Sequence, residues 1–409
     1  MFGSFIERYE NKKKLKIKVP EGTKIIKDEA FCYYEYVKSA KIPYGVEEIG
    51  AVAFLNCSAL TKIDIPASVK EIGVSAFSSC SSLKSASLVN VEEIKAGTFN
   101  CCSSLKKVEI SKKLKRVSKS AFQFCKSLKS FNFSIGVEEV CEDAFAFCDS
   151  LTAIKLDGNV KKIENNAFYG CNNLKTIYIG ANVEEIGDYA FASCIKLKSI
   201  IVDKNNENYT SVNGSLYSKD GKKLIQYAAG RSSKTFKLPS TVEEISRLAL
   251  LKCANVNKFS VQKGNKFFKA KNGNLYNYDY SKLIKYAVNK QDNVITVNDV
   301  SEIGAFAFED CNSLTKLTVG GSVKVIGLCA FRGCKYLTSV KIQSGVEKLE
   351  NAVFDGCDYL TKLELPYSIN CIDGDIAEEN YNVVYVVEKD SYAYNYCRKN
   401  DKEYKLKRK

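Results

Sequence analysis

One dipeptide recurs along this chain at a nearly fixed step. Ala-Phe stands at Ala30-Phe31, Ala53-Phe54, Ala76-Phe77, Ala121-Phe122, Ala144-Phe145, Ala167-Phe168, Ala190-Phe191, Ala307-Phe308 and Ala330-Phe331. Thr98-Phe99 and Val353-Phe354 keep the same frame, and the step is 23 residues, once 22. A chain of 409 residues would ordinarily suggest two or three globular domains. A period this short implies instead a stack of equal units, each burying its apolar face on the next.

The frame holds at other positions. Three residues after the Phe comes a cysteine, and three after that a leucine, as in Cys57/Leu60, Cys125/Leu128 and Cys334/Leu337. Two alternating apolar residues follow, as in Ile63/Ile65, Ile177/Ile179 and Leu363/Leu365. That stretch is a period-2 strand with one buried face. After a short turn, Val and Ile stand three apart, as in Val46/Ile49, Val183/Ile186 and Val323/Ile326, and lead to the next Ala-Phe. Parallel strands cannot be joined by tight hairpins, so this second segment is the return path of a coil. Stacked coils pair every strand edge and share one core.

The pattern Val-Glu-Glu-Ile-Gly…Ala-Phe-x-x-Cys-x-x-Leu, seen at Val46 to Leu60 and Val183 to Leu197, resembles the BspA-like leucine-rich-repeat family. Its repeats are also called the Treponema pallidum type. The resemblance implies a right-handed solenoid, mainly β, of about twelve coils with parallel strands. It also implies binding to a protein ligand, including host or matrix proteins at a cell surface. The expected organisation is an N-terminal cap over 1–16, a solenoid over 17–372 and a C-terminal cap over 373–409.

Between Phe191 and Phe308 the step lengthens to 59 and then 58, which is 36 and 35 more than 23, with Leu250 in the Phe position. The two insertions, about 203–238 and 262–297, are copies of each other. Gly214-Ser-Leu216-Tyr217 matches Gly273-Asn-Leu275-Tyr276 at an offset of 59. Asn213-Gly214 and Asp220-Gly221 are hairpin signals, so each copy reads as a β-hairpin or small meander attached to the solenoid. At the C-terminus, Val383 to Val387 reads as a last strand. Ser391 to Asn400 reads as a short helix with Ser391 as N-cap and Tyr392, Tyr396 and Cys397 as its apolar side. The basic tail Lys402 to Lys409 reads as disordered.

Eleven of 17 cysteines form one column: Cys57, Cys80, Cys102, Cys125, Cys148, Cys171, Cys194, Cys253, Cys311, Cys334 and Cys357. No Cys-x-x-Cys pair marks a zinc site. Side by side in parallel coils, the thiols do not present the dihedral that a disulfide needs. They read as a reduced structural ladder of small buried residues with weak S–H donors.

The chain has no His, which removes Ser-His-Asp and Cys-His catalysis and histidine metal ligands. No phosphate loop or nucleophile–base pair is present, so no catalytic residue, metal or cofactor is expected. The recurring Glu47-Glu48, Glu92-Glu93 and Glu184-Glu185 pairs read as a solvated corner of each coil. The formal charge is +14, nearly all of it lysine. That suits solubility or diffuse attraction to polyanions (a glycosaminoglycan, a cell-wall polymer or nucleic acid) better than specific reading of bases.

The expected function is therefore a non-catalytic protein-binding scaffold, with polyanion binding as the alternative. No small-molecule substrate, specific nucleic-acid target or membrane insertion is expected, and the chain reads as a monomer. Met1 to Lys14 lacks the uninterrupted apolar run of a secretory signal, which points to the cytoplasm. The family resemblance points instead to the surface or to secretion. Candidate contact residues are the solvent-facing pair Tyr178 and Ile201, with insertion tyrosines Tyr209, Tyr217, Tyr227, Tyr276 and Tyr286.

Overall fold

A computed structural model of the protein describes residues 5–6, 15–133, 136–288, 292–378 and 380–408. Most of the expected N-terminal cap lies outside the described residues. The chain divides into two units, residues 1–231 and 232–409.

In the first unit, front strands such as Ala153–Leu156, Thr176–Ile179 and Ser199–Val202 pair in parallel and in register. Their buried residues alternate with outward ones, as the period-2 pattern requires. Two-residue strands such as Glu139–Val140, Lys162–Ile163 and Glu185–Ile186 form the parallel return sheet. The second unit repeats this arrangement. Val294–Val297, Lys316–Val319, Ser339–Ile342 and Lys362–Glu364 run along its front, with Glu302–Ile303, Val325–Ile326 and Lys348–Leu349 behind. Each unit is thus a parallel β-solenoid. Among the described residues, the insertions and the ends raise the turns beyond the twelve registers of the 23-residue frame, to about 17.

The corner between the two sheets explains the most regular part of the sequence. The Phe side chains stack one turn on the next: Phe31 on Phe54 at 5.0 Å, Phe99 on Phe122 at 5.4 Å, Phe308 on Phe331 at 4.7 Å. Offset stacks of this kind are favourable beyond simple burial. The Phe54 amide donates to the Ala76 carbonyl at 2.8 Å, and the same link recurs from turn to turn. Ala fits beside it because a larger side chain would separate the turns. Two residues per corner take a left-handed backbone, one before the Ala and one before the Cys, as at Val52 (φ 48°) and Asn56 (φ 58°).

Each insertion forms three antiparallel strands, as expected: Tyr209–Val212, Ser215–Ser218 and Lys223–Gln226, then Phe268–Lys271, Asn274–Asn277 and Lys282–Lys285. In the second copy the last of these also pairs in parallel with Glu302–Ile303. Tyr286 then stacks on Phe308 at 4.6 Å, and its amide donates to the Ala307 carbonyl at 2.8 Å. The meander is therefore more than an attachment. It closes an extra turn in which Tyr286 takes the place of Phe.

At the C-terminus, Val384–Val387 is a strand and Tyr392–Lys399 a helix. Ser391 caps the helix by accepting from the Tyr394 amide at 3.1 Å. Two expectations change here. The buried helix residues are Ala393, Tyr396 and Cys397, while Tyr392 is exposed. The basic tail is also ordered over its middle: Tyr404–Leu406 pairs in parallel with Val384–Val387. Tyr404 packs edge-on against Tyr394 at 5.4 Å, and Lys402 meets Asp375 at 2.6 Å. Composition alone hid these local anchors.

Candidate protein-binding surfaces

The front strands present two outward side chains per turn. None of these outward side chains is buried, from Lys62 and Asp64 to Lys362 and Glu364. Tyr178 and Ile201 stand opposite each other in register, with Lys155 beside Tyr178 on the other side. Ile201 is 46% exposed. Tyr178 is half-buried, and its hydroxyl donates to Asp203 at 2.6 Å. That hydroxyl holds the Asp203 carboxyl below its ordinary value. The pair is an apolar patch fixed by a polar tether.

Burial divides the insertion tyrosines. Tyr217, Tyr227, Tyr276 and Tyr286 are only 2%, 2%, 5% and 6% exposed. They pack the meanders and offer a partner no surface. Tyr209 is half-buried against the core, and its hydroxyl accepts from the Ile186 amide at 2.8 Å. It closes the end of the return sheet in the first unit. Alternating sequence patterns could not distinguish these rings from exposed ones, because both kinds sit in short polar strands.

The cysteine ladder is buried and its thiols are free. Nine of the eleven donate to the carbonyl of the Phe one turn back, such as Cys57 to Phe31 at 3.2 Å and Cys171 to Phe145 at 3.2 Å. This gives the column a physical reason: a small residue with a donor satisfies a carbonyl at a tight corner. Burial pushes the Cys194 thiol up to about 12 and Cys311 to about 11. Such thiols stay protonated, which leaves them poor nucleophiles. Among the described residues no group of three or more His, Cys, Asp or Glu could hold a metal ion.

The Glu pairs of the return corners form ion pairs between turns. Glu47 meets Lys70 at 2.8 Å, and Arg116 reaches Glu139 at 2.9 Å. Sequence reasoning missed one buried network. In the second unit Lys285, only 3% exposed at its side chain, donates to the Phe306 carbonyl at 2.8 Å and lies 3.6 Å from Glu309. Lys252 meets Glu309 at 3.2 Å and Asp310 at 2.9 Å. Burial would lower the Lys252 ammonium, but Glu309 and Asp310 together raise it. The signal was present: Lys285 occupies a buried position of an alternating strand, where the first copy has Gln226.

The sequence profile described as BspA type leucine rich repeat region matches residues 7–129, 92–220 and 285–399. Among curated proteins, none matches. Of solved structures, a leucine rich cell surface protein from Faecalibacterium prausnitzii is 25% identical, with 90% of each chain covered and a TM-score of 0.52. A leucine-rich repeat protein from Bacteroides ovatus is 21% identical, with 99% of this chain and 94% of that one covered and a TM-score of 0.45.

Proposed function

Because the chain belongs to the BspA-type leucine-rich-repeat family, we propose that it is a non-catalytic scaffold that binds a protein partner at the cell surface in the manner of an adhesin. The observation that carries this reading is the open front face with the tethered Tyr178–Ile201 patch. A rigid array of strands holds that patch at little entropic cost, and exposed aromatic and aliphatic groups make good interface anchors. The relative from Faecalibacterium prausnitzii is described as a cell surface protein, which supports the location. Lysines such as Lys70, Lys161 and Lys324 pair with Glu across turns, which sets acidic groups among the basic ones and weakens the case for general polyanion binding.

Two measurements test the reading. Protease shaving of intact source cells should remove the protein while a cytoplasmic control survives. The purified chain should bind at least one member of a panel of extracellular matrix proteins at micromolar strength. Ile201→Asp should weaken that binding about tenfold or more. Survival of the protein until lysis would overturn the surface location. Binding unaltered by Ile201→Asp would remove the front patch as the contact.

A further inference from the structure

The two insertions differ most at one sheet edge. In the first copy, the Ile200 amide donates to the Gly214 carbonyl at 2.8 Å, and the Ser211 hydroxyl donates to the Ile200 carbonyl at 2.6 Å. Both outward backbone groups of Ile200 are closed by the hairpin. In the second copy Phe259 replaces Ile200, and its amide likewise donates to Gly273 at 2.8 Å. Ala270 stands where Ser211 stood and brings no hydroxyl. The N–H and C=O of one strand residue point to the same side, so the Phe259 carbonyl also faces this edge. An open groove of about 560 Å³ lies there, along Lys258–Val261 and against Ala270, Asn272 and Gly273. Lys258–Val261 pairs with Thr235–Leu238 on one side and, among the described residues, with no strand on the other.

The charge differs as sharply. Residues 198–212 hold Lys198 and Lys204 against Asp203 and Glu207, two minus two, for a net charge of zero. The matching residues 257–271 hold Lys258, Lys263, Lys266, Lys269 and Lys271 and no acid, five minus zero. Phe267 and Tyr278 nearby are 45% and 47% exposed, and the Lys269 ammonium lies 3.9 Å from the centre of the Tyr278 ring.

We propose that this edge docks an acidic, extended segment of a partner protein, an inference that rests on the protein-binding reading and names a site for it. The segment lies extended beside Lys258–Val261 and bonds the Phe259 carbonyl, the Phe259 amide being held by Gly273, and its carboxylates meet the lysines. Strand addition draws affinity from main-chain hydrogen bonds and specificity from side chains. The missing serine hydroxyl leaves the carbonyl that such a strand would bond, and the lysines select its charge. A sulfated polysaccharide would answer the charge without using the strand edge.

The test uses the full chain and a labelled peptide of alternating glutamate and threonine, followed by fluorescence polarisation. Binding should fall about tenfold with Lys258→Glu plus Lys263→Glu and stay unchanged with Lys204→Glu in the first copy. Ala270→Ser, which restores the closing hydroxyl, should weaken binding about fivefold while leaving the melting temperature intact. A peptide with its amides N-methylated should not bind. Equal binding of the methylated peptide, or tighter binding of heparin with the same response to the lysine changes, would overturn strand docking in favour of plain polyanion attraction. No binding of the peptide to the wild-type chain would also overturn this site. It would leave the scaffold reading standing, because that reading is tested separately through Ile201 and matrix proteins.

Discussion

The two insertions share a backbone plan and differ in what they bury and expose. The first closes its edges with hydroxyls: Tyr209 reaches the Ile186 amide and Ser211 the Ile200 carbonyl. The second carries Phe268 and Ala270 at those places. Where the first buries the neutral Gln226, whose amide donates to the Tyr227 carbonyl at 2.9 Å, the second buries Lys285. Hairpin turns and alternating apolar residues suffice to preserve the fold, since both copies keep them. The positions free to change are the caps of the sheet edges and the polar residue inside the turn. A repeat scaffold thus gains local differences without altering its architecture.

The largest expected effect separates the two buried polar groups. Glu309→Ala leaves Lys285 buried without its carboxylate and should cost about 3–5 kcal/mol. Gln226→Leu in the first copy removes a neutral hydrogen bond and should cost about 1–2 kcal/mol. Urea midpoints of the two variants measure both. Equal costs would show that the Lys285–Glu309 pair is as dispensable as a neutral amide, and the contrast between the copies would fail.

A second contrast concerns the thiols flanking the insertions. Cys194 donates to the Phe168 carbonyl at 3.3 Å, whereas Cys311 lies 3.9 Å from the Ser313 hydroxyl. Burial raises both, Cys194 to about 12 and Cys311 to about 11, from an ordinary value of 9.0. A raised thiol contributes stability that is fully present below its unfolded value. Above that value the unfolded chain sheds its proton while the folded chain retains it, so stability falls as pH rises. The loss should therefore run from about pH 9 to pH 12 for Cys194 and to pH 11 for Cys311, at up to about 1.4 kcal/mol per pH unit for each of the two. Urea midpoints that stayed flat from pH 8 to pH 11 would contradict the ladder. In pH-dependent alkylation, Cys311 should react before Cys194 (the reverse order would break the contrast).

Much of this architecture was legible in the chain. Phe54, Cys57 and Leu60 recur in frame because each faces its own copy in the next turn, and self-stacking forces the period to be visible. The outward positions of the front strands were legible for the same reason, since alternation assigns a face. The insertion tyrosines were less so. Tyr217 and Tyr278 both belong to the short hairpin segments, yet Tyr217 is buried and Tyr278 exposed. Their difference depends on how the meander folds over the turn, a contact between distant residues that no local period records. The left-handed backbone at Val52 was also hidden, because a β-branched residue is disfavoured there and only the stacked turns hold it. The tail strand Tyr404–Leu406 was masked by its lysines, whose charges argue for a solvated end while Tyr404 anchors it.

The smallest expected effect tests the edge caps reciprocally. Tyr209→Phe deletes the hydroxyl that accepts from Ile186 and should destabilise the first unit by about 1 kcal/mol. Phe268 occupies the matching position, 59 residues on, and borders a cavity of about 560 Å³ that also touches Ile245, the counterpart of Ile186. Phe268→Tyr should therefore place a hydroxyl within reach of the Ile245 amide and stabilise the second unit by about 1 kcal/mol. Amide exchange followed by mass spectrometry reads both changes locally: protection should fall at Ile186 in the first variant and rise at Ile245 in the second. If Phe268→Tyr lowered protection at Ile245, the ring would lie in a different pose from Tyr209. The two copies would then differ in backbone as well as in their caps.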